Sequence, residues 1–414
     1  MNIESYACGA WIAGNDNGVE VRNAITGDAI GQVSSNGLDF AAMLQHGREK
    51  GGHALRRMTI HDRANMLKAL AKHLLSKKES FYAVSAATGA TRSDSWVDIE
   101  GGIGTVFSYT GIARREFPNE TFAVEGKVEQ LSAQGSFVGR HILTPTHGFS
   151  LHIIAIKFPC WGMLDKIAPS LVAGVPVIVK PATVSCYLTE AMVREIIASG
   201  ILPEGSLQLI CGSTGDILDH LYEQDSVTFT GSASTGRMLR THPNIIANSI
   251  PFNMEADSLN CSILGAKAGP GTAEFDLFVK AVCQEMTVKA GQKCTAIRRA
   301  IVPESHTDAV IEAIRARLDG IAMGDPSTEG VRMGSLVGTD QVEDVWNAVG
   351  KLAVDSEIVH GGSRDFEVVG ADASKGAFFP ATLLYCDKPL VTTSAHAVEA
   401  FGPVSTVTVS DTHL

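Results

Sequence analysis

The sequence predicts an α/β protein whose core is a parallel sheet covered by helices on both faces. Short apolar runs recur from residue 151 onward, and stretches of helical length separate them. Composition agrees: the 414 residues are 45% hydrophobic and 19% charged, ordinary for a chain large enough for two or three domains. Glycine is abundant, 41 in all, and clusters where strand-to-helix turns are expected.

In chain order, the first clear element is a helix over 58–80, MTIHDRANMLKALAKHLLSKKES. Thr59 and Asp62 have capping-box spacing, and Leu67, Leu70, Ala71 and Leu74 share one face. A second helix runs over 93–116, interrupted or tightly packed at its glycines. Residues 117–150 alternate polar and apolar and read as a hairpin or extended arm. Strands are then expected at 151–156, 175–180, 206–212 and 226–231, with helices at 161–173, 186–199, 215–223 and 234–241. Ligands of such sheets bind beyond the carboxyl ends of the strands, which directs attention to KFP, KPAT, CGSTG and FTGS.

Several function classes are disfavoured. A formal charge of −11 argues against nucleic acid or an anionic membrane as the main partner. The longest nearly apolar stretch, 167–179, is too short to span a bilayer and carries two prolines. No basic n-region opens the chain, and eight dispersed cysteines without a CxxC pair read as reduced thiols. A cytoplasmic protein with no zinc site or other metal is expected. GSASTG, 231–236, has two glycines at Walker spacing, but Arg-Met follows where Lys-Ser/Thr belongs. No GxGxxG, HExxH, GxSxG or EF-hand loop is present. A helix beginning at Ser232 can still hold a phosphate through its free N–H groups and dipole.

One cysteine stands apart. Cys294 lies in KAGQKCTAIRR, 289–299, among glycine, glutamine, threonine and cations, whereas an inert structural cysteine sits among apolar neighbours. Nearby cations favour the thiolate, the form that attacks carbon. On composition alone a packing thiol remains competitive.

Taken together, KPA (180–182), FTGS (229–232), an acidic residue ending a strand in IPFNMEADSLN (250–260), GQKC (291–294) and EAFGPV (399–404) resemble the aldehyde dehydrogenase superfamily in order and spacing. SWVDIEGGIGT (95–105), MEADSLN (254–260) and AGQKCTAIRR (290–299) look closest to a branch acting on CoA-linked semialdehydes in aerobic phenylacetate degradation. The resemblance covers the chain from end to end, and the family continues beyond EAFGPV. It implies a Rossmann-like nucleotide-binding domain (1–117 and 145–250), a hairpin or oligomerisation arm (118–144) and an incomplete α/β catalytic domain (251–414). A homo-oligomer is implied for the intact family.

The resemblance also implies roles. Cys294 would attack the aldehyde carbon, a hydride would leave for the nicotinamide, and Glu255 would activate the water that hydrolyses the thioester. Gly291 would let the backbone approach the substrate. For the cofactor, Lys180 would contact the adenosine ribose and Gly231 with Ser232 would form the pyrophosphate turn. Glu399 would hold the nicotinamide ribose beside Phe401. Thr183 stands where many NAD-preferring relatives carry glutamate, so NADP is expected at least as readily as NAD. The implied reaction is NADP-dependent oxidation of 3-oxo-5,6-dehydrosuberyl-CoA semialdehyde, with the corresponding semialdehyde of CoA-linked benzoate degradation as the alternative. Lys157 occupies the position of the asparagine that helps hold the oxyanion. Lysine donates hydrogen bonds but on a long flexible stem, so a catalytically impaired chain is a further alternative. The ADS after Glu255 departs from the family's glycine-rich sequence.

Overall fold

The computed structural model describes residues 2–410. These divide into two compact units, the first made of 2–21, 31–82 and 96–256, the second of 22–30, 83–95 and 257–410. Two short segments, 22–30 and 83–95, thus belong with the second unit.

In the first unit the described residues form a seven-stranded sheet. Its order is Phe252–Ala256, Ser226–Gly231, Ser150–Ile153, Val177–Lys180, Leu207–Leu209, Ser5–Ala7 and Ala10–Ile12. The first five strands are parallel, as expected, and the last two join antiparallel. Parallel strands need both faces covered. Leu151, Ile178, Ile210, Val227 and Phe229 are accordingly buried in one core.

The expected first helix spans Ile60–Ser76, and Thr59 and Asp62 form the reciprocal capping box. Leu67, Leu70, Ala71 and Leu74 are fully buried along its face. The second helix, Arg92–Glu116, is continuous through its glycines. Tight packing explains two of them: a Cβ on Gly101 would lie 2.8 Å from the Trp161 ring, and one on Gly102 would lie 2.8 Å from the Trp161 backbone. Of the four helices expected between strands, three form, Trp161–Val172, Cys186–Ala198 and Ala233–Arg240. The fourth is only a 3-10 turn, Ile217–His220, because Gly215 turns left-handed (φ +49°) before it and Leu221 is extended after it. Strands Ala123–Gln130 and Val138–Leu143 pair antiparallel as the expected hairpin.

The second unit carries a five-stranded sheet in the order Cys261–Ile263, Arg299–Pro303, Val404–Ser410, Thr382–Cys386, Glu357–His360 among the described residues, parallel except for the last strand. Helices Ala273–Thr287 and Thr307–Asp319 cover it, burying Phe278, Val282, Met286, Val310 and Ile314 with Val302 and Val407. Helix Thr339–Leu352 packs into a separate core, with the Trp346 and Phe379 ring centroids 4.4 Å apart. No helix among the described residues is long and apolar enough to cross a membrane, and no cluster of three metal-ligating side chains occurs among them.

Candidate active site

The first unit gathers its candidate residues at the carboxyl ends of adjacent parallel strands. Register places Lys180 beside Ile153, Ile153 beside Phe229, and Thr230 beside Glu255. Glu255 is exposed, and the Thr230 hydroxyl reaches its Oε2 at 3.5 Å. Lys180 is half-buried, and burial pulls its pKa below the ordinary lysine value while Cys186 and Cys211 oppose the shift. Thr183 follows in a 3-10 turn, Thr183–Ser185, also half-buried.

Ser232 is the N-cap of helix Ala233–Arg240, its hydroxyl accepting from the Thr235 N–H. A lysine and a helix N-terminus along one sheet edge are of the chemistry that suits the diphosphate of a dinucleotide. Gly231 has a packing reason of its own, since a Cβ there would lie 2.6 Å from the Phe229 ring.

Lys157 lies in the loop between strand Ser150–Ile153 and helix Trp161–Val172, only 8% exposed. The expected strand to 156 stops at Ile153 because the chain turns into this loop. Three side chains secure it. Asp98 accepts from the N–H groups of Cys160 (3.2 Å) and Trp161 (2.8 Å), capping the helix start. Ser185 donates to the Ile156 carbonyl and Thr189 to that of Pro159. Sequence reasoning singled out none of these. The motif around Asp98 was visible, but a cap supplied from another helix leaves no local spacing signal.

In the second unit Cys294 follows a backbone that stops helix Ala273–Thr287 abruptly. Lys289 (φ 54°), Ala290 (φ 48°) and Gly291 (φ 68°) are consecutive left-handed residues. The Lys289 N–H is received by Asp94 at 3.0 Å. Gly291 is required by a close approach to the chain itself: a Cβ would lie 2.1 Å from the Gly402 carbonyl oxygen. What Gly291 admits within this unit is therefore the EAFGPV segment.

Arg298, 4% exposed, ties these segments together. It donates to the carbonyls of Gly291 (2.8 Å) and Gly402 (2.7 Å) and stands 3.6 Å from the Glu399 carboxylate. Its guanidinium lies over the Phe401 ring, 5.6 Å from the centroid. Burial draws its pKa down to about 10, with Glu399 working in the opposite direction.

The Cys294 carbonyl is held twice, by the Ser258 hydroxyl and the Asn260 amide, both at 2.6 Å. Cys294 itself is half-buried. The cations around it are engaged elsewhere: Lys293 with Glu285 at 2.7 Å, and Arg299 with the Leu259 carbonyl and His396. Two of the local cations, Lys293 and Arg298, thus face carboxylates, Glu285 and Glu399, that only the fold brings in.

Both units are built on largely parallel sheets, the first with Lys180 and a helix N-terminus at its carboxyl edge and the second with Cys294 on a constrained loop. Residues 11–413 match the aldehyde dehydrogenase family. The chain belongs to that family and is an NAD(P)-dependent aldehyde dehydrogenase. It is 44% identical over 408 residues to the 3,4-dehydroadipyl-CoA semialdehyde dehydrogenase of Aromatoleum evansii, covering 98% of this chain and 79% of that protein. Among solved structures, betaine aldehyde dehydrogenase from Staphylococcus aureus in complex with NAD+ superposes with a TM-score of 0.86 at 22% identity, over 99% of this chain and 78% of the other. Succinate-semialdehyde dehydrogenase from Burkholderia pseudomallei gives 0.83 at 21%, over 99% and 81%.

Proposed function

We propose that this enzyme oxidises a CoA-linked semialdehyde to its carboxylic acid, with Cys294 as nucleophile and Glu255 as base. The observation that carries the substrate class is the 44% identity, over nearly the whole chain, to an enzyme named for 3,4-dehydroadipyl-CoA semialdehyde. That weight favours 3,4-dehydroadipyl-CoA semialdehyde over the 3-oxo-5,6-dehydrosuberyl-CoA semialdehyde suggested by the sequence motifs.

The chemistry follows from the residues. The Cys294 thiolate adds to the aldehyde carbon, giving a thiohemiacetal. A bound nicotinamide supplies the hydride acceptor, with NADP admitted because Thr183 brings no negative charge against a 2′-phosphate. Glu255 takes a proton from the water that attacks the thioester, releasing the acid and returning the thiol. Lys180, Gly231 and Ser232 would hold the adenosine and diphosphate portion, Glu399 and Phe401 the nicotinamide end. The exposed apolar hairpin, with Val128, Phe137, Val138 and Ile142, would form the contact of a homo-oligomer.

The test follows nicotinamide reduction with both CoA semialdehydes and with betaine aldehyde and succinate semialdehyde. A kcat/KM at least about a hundredfold higher for a CoA semialdehyde is expected. Equal values would remove the CoA-linked substrate. Cys294→Ser should abolish turnover. Glu255→Gln should leave an acyl-enzyme visible by intact-mass measurement.

A further inference from the structure

Resting on Cys294 as the nucleophile, we infer that Ser258 is a positioning residue whose hydroxyl fixes the nucleophile loop against the Glu399 carboxylate. Its O–H donates to the Cys294 carbonyl at 2.6 Å, and its own N–H donates to Glu399 Oε2 at 3.2 Å. One residue therefore touches both the peptide that carries the thiol and the carboxylate beside Phe401. Asn260 supports it, donating to the Cys294 carbonyl at 2.6 Å, to the Ala296 carbonyl at 3.1 Å and to Ser258 Oγ at 3.3 Å.

The local backbone shows why a side chain is used here. Asp257 adopts φ +43°, a left-handed turn between Ala256 and Ser258. That turn brings Ser258 under the Cys294 peptide, where a glycine would satisfy Glu399 through its N–H but leave the carbonyl to Asn260 alone. Two donors on one carbonyl fix the plane of the peptide following Cys294 more tightly than one. Because a thiol must approach a carbon within about 3.5 Å in the correct direction, a small loss of placement lowers the rate steeply. Of Cys294 the hydroxyl touches the backbone carbonyl alone, and the Ser258 N–H keeps its bond to Glu399 whatever the side chain, so the effect of losing the hydroxyl is expected on the attack step.

The test compares the parent with Ser258→Ala, Ser258→Thr and Cys294→Ser. Acylation by p-nitrophenyl acetate and alkylation of Cys294 by iodoacetamide report the nucleophile without an identified aldehyde, and Cys8 and Cys261 serve as exposed internal references. Ser258→Ala is expected to slow Cys294 acylation about five- to tenfold, in line with loss of one hydrogen bond and of placement. The reference cysteines, the melting temperature and the dissociation constants of NAD and NADP should stay within about twofold or a few degrees. Ser258→Thr, which keeps the hydroxyl, should restore at least half the rate. An unchanged Cys294 rate in Ser258→Ala overturns the inference while leaving the nucleophile intact. A loss that Ser258→Thr fails to restore, or one shared by the reference cysteines, also overturns it. Acylation that persists in Cys294→Ser would instead bring down the assignment of the nucleophile.

Discussion

Arg298 and Glu399 meet at 3.6 Å with side chains only 4% and 11% exposed. The same guanidinium holds the carbonyls of Gly291 and Gly402. Replacing it with Met removes the cation from the Glu399 carboxylate, which keeps the Ser258 N–H, and takes one donor from each of two carbonyls that keep the Lys293 and Val404 N–H groups, at a cost of about 3–5 kcal/mol for the broken buried pair. Urea unfolding of Arg298→Met should show a loss of that size. Arg298→Lys should recover only part of it, since an ammonium lacks the planar fork that reaches both carbonyls. A loss below about 1 kcal/mol for Met would mean that the contacts are incidental.

The proposed admission of NADP is tested at Thr183. Thr183→Glu should weaken NADP by about tenfold or more while changing NAD by less than about threefold, because a carboxylate repels the 2′-phosphate. Titration calorimetry with both nucleotides decides it. A parent that prefers NAD, or equal losses for both, would remove the argument.

Lys157 offers a third measurement. Loss of one oxyanion donor costs on the order of a hundred- to a thousandfold in rate. Lys157→Asn is expected to raise kcat at least about tenfold on whichever aldehyde is turned over. The loop that carries it is held independently by Asp98, Ser185 and Thr189. A smaller gain would show that the buried lysine is an adequate donor.

Buried His152 should shape acid stability. Its Nδ1 pairs with the Thr228 hydroxyl at 2.7 Å and its Nε2 with that of Ser170 at 3.1 Å. Burial, aided by Lys166, lowers its pKa to about 3. The unfolded imidazole titrates near 6.5, so between about pH 6.5 and 3 the unfolded chain binds a proton that the fold refuses. Stability is lost as pH falls through that window, approaching about 1.4 kcal/mol per pH unit. His152→Asn should flatten the fall of stability between pH 6.5 and 5, measured by denaturant midpoints. An identical slope would mean that His152 accepts its proton while folded.

What the sequence disclosed was local. The helix Ile60–Ser76 announced itself through its capping box and apolar face, and the parallel strands through short branched runs between turns. Strands Ser5–Ala7 and Ala10–Ile12 gave no warning, because runs of three residues acquire strand character only from the edge they join. The site divides in the same way. Cys294, Glu255, Lys180 and Glu399 could be picked out from motifs. Arg298, Ser258, Asn260 and Asp98 act through backbone atoms far along the chain, and nothing in their own neighbourhood records the partner. The cations near Cys294 were visible, but Glu285, which takes up Lys293, was not part of that pattern.

The run of left-handed residues from Lys289 to Gly291 bears on how this enzyme can be recombined with others. Two of the three carry a side chain in a conformation that costs on the order of 1 kcal/mol each, and the third has the Gly402 carbonyl where a Cβ would stand. Their shape is imposed by Arg298 just beyond the loop and by Asp94 and the chain at 402, drawn from two distant stretches of sequence. The Cys294 loop is therefore not a portable cassette. A chimera that imports residues 288–298 alone would receive the letters without the conformation, whereas one that also carries 83–95, 257–260 and 398–404 would transfer the loop together with its mould.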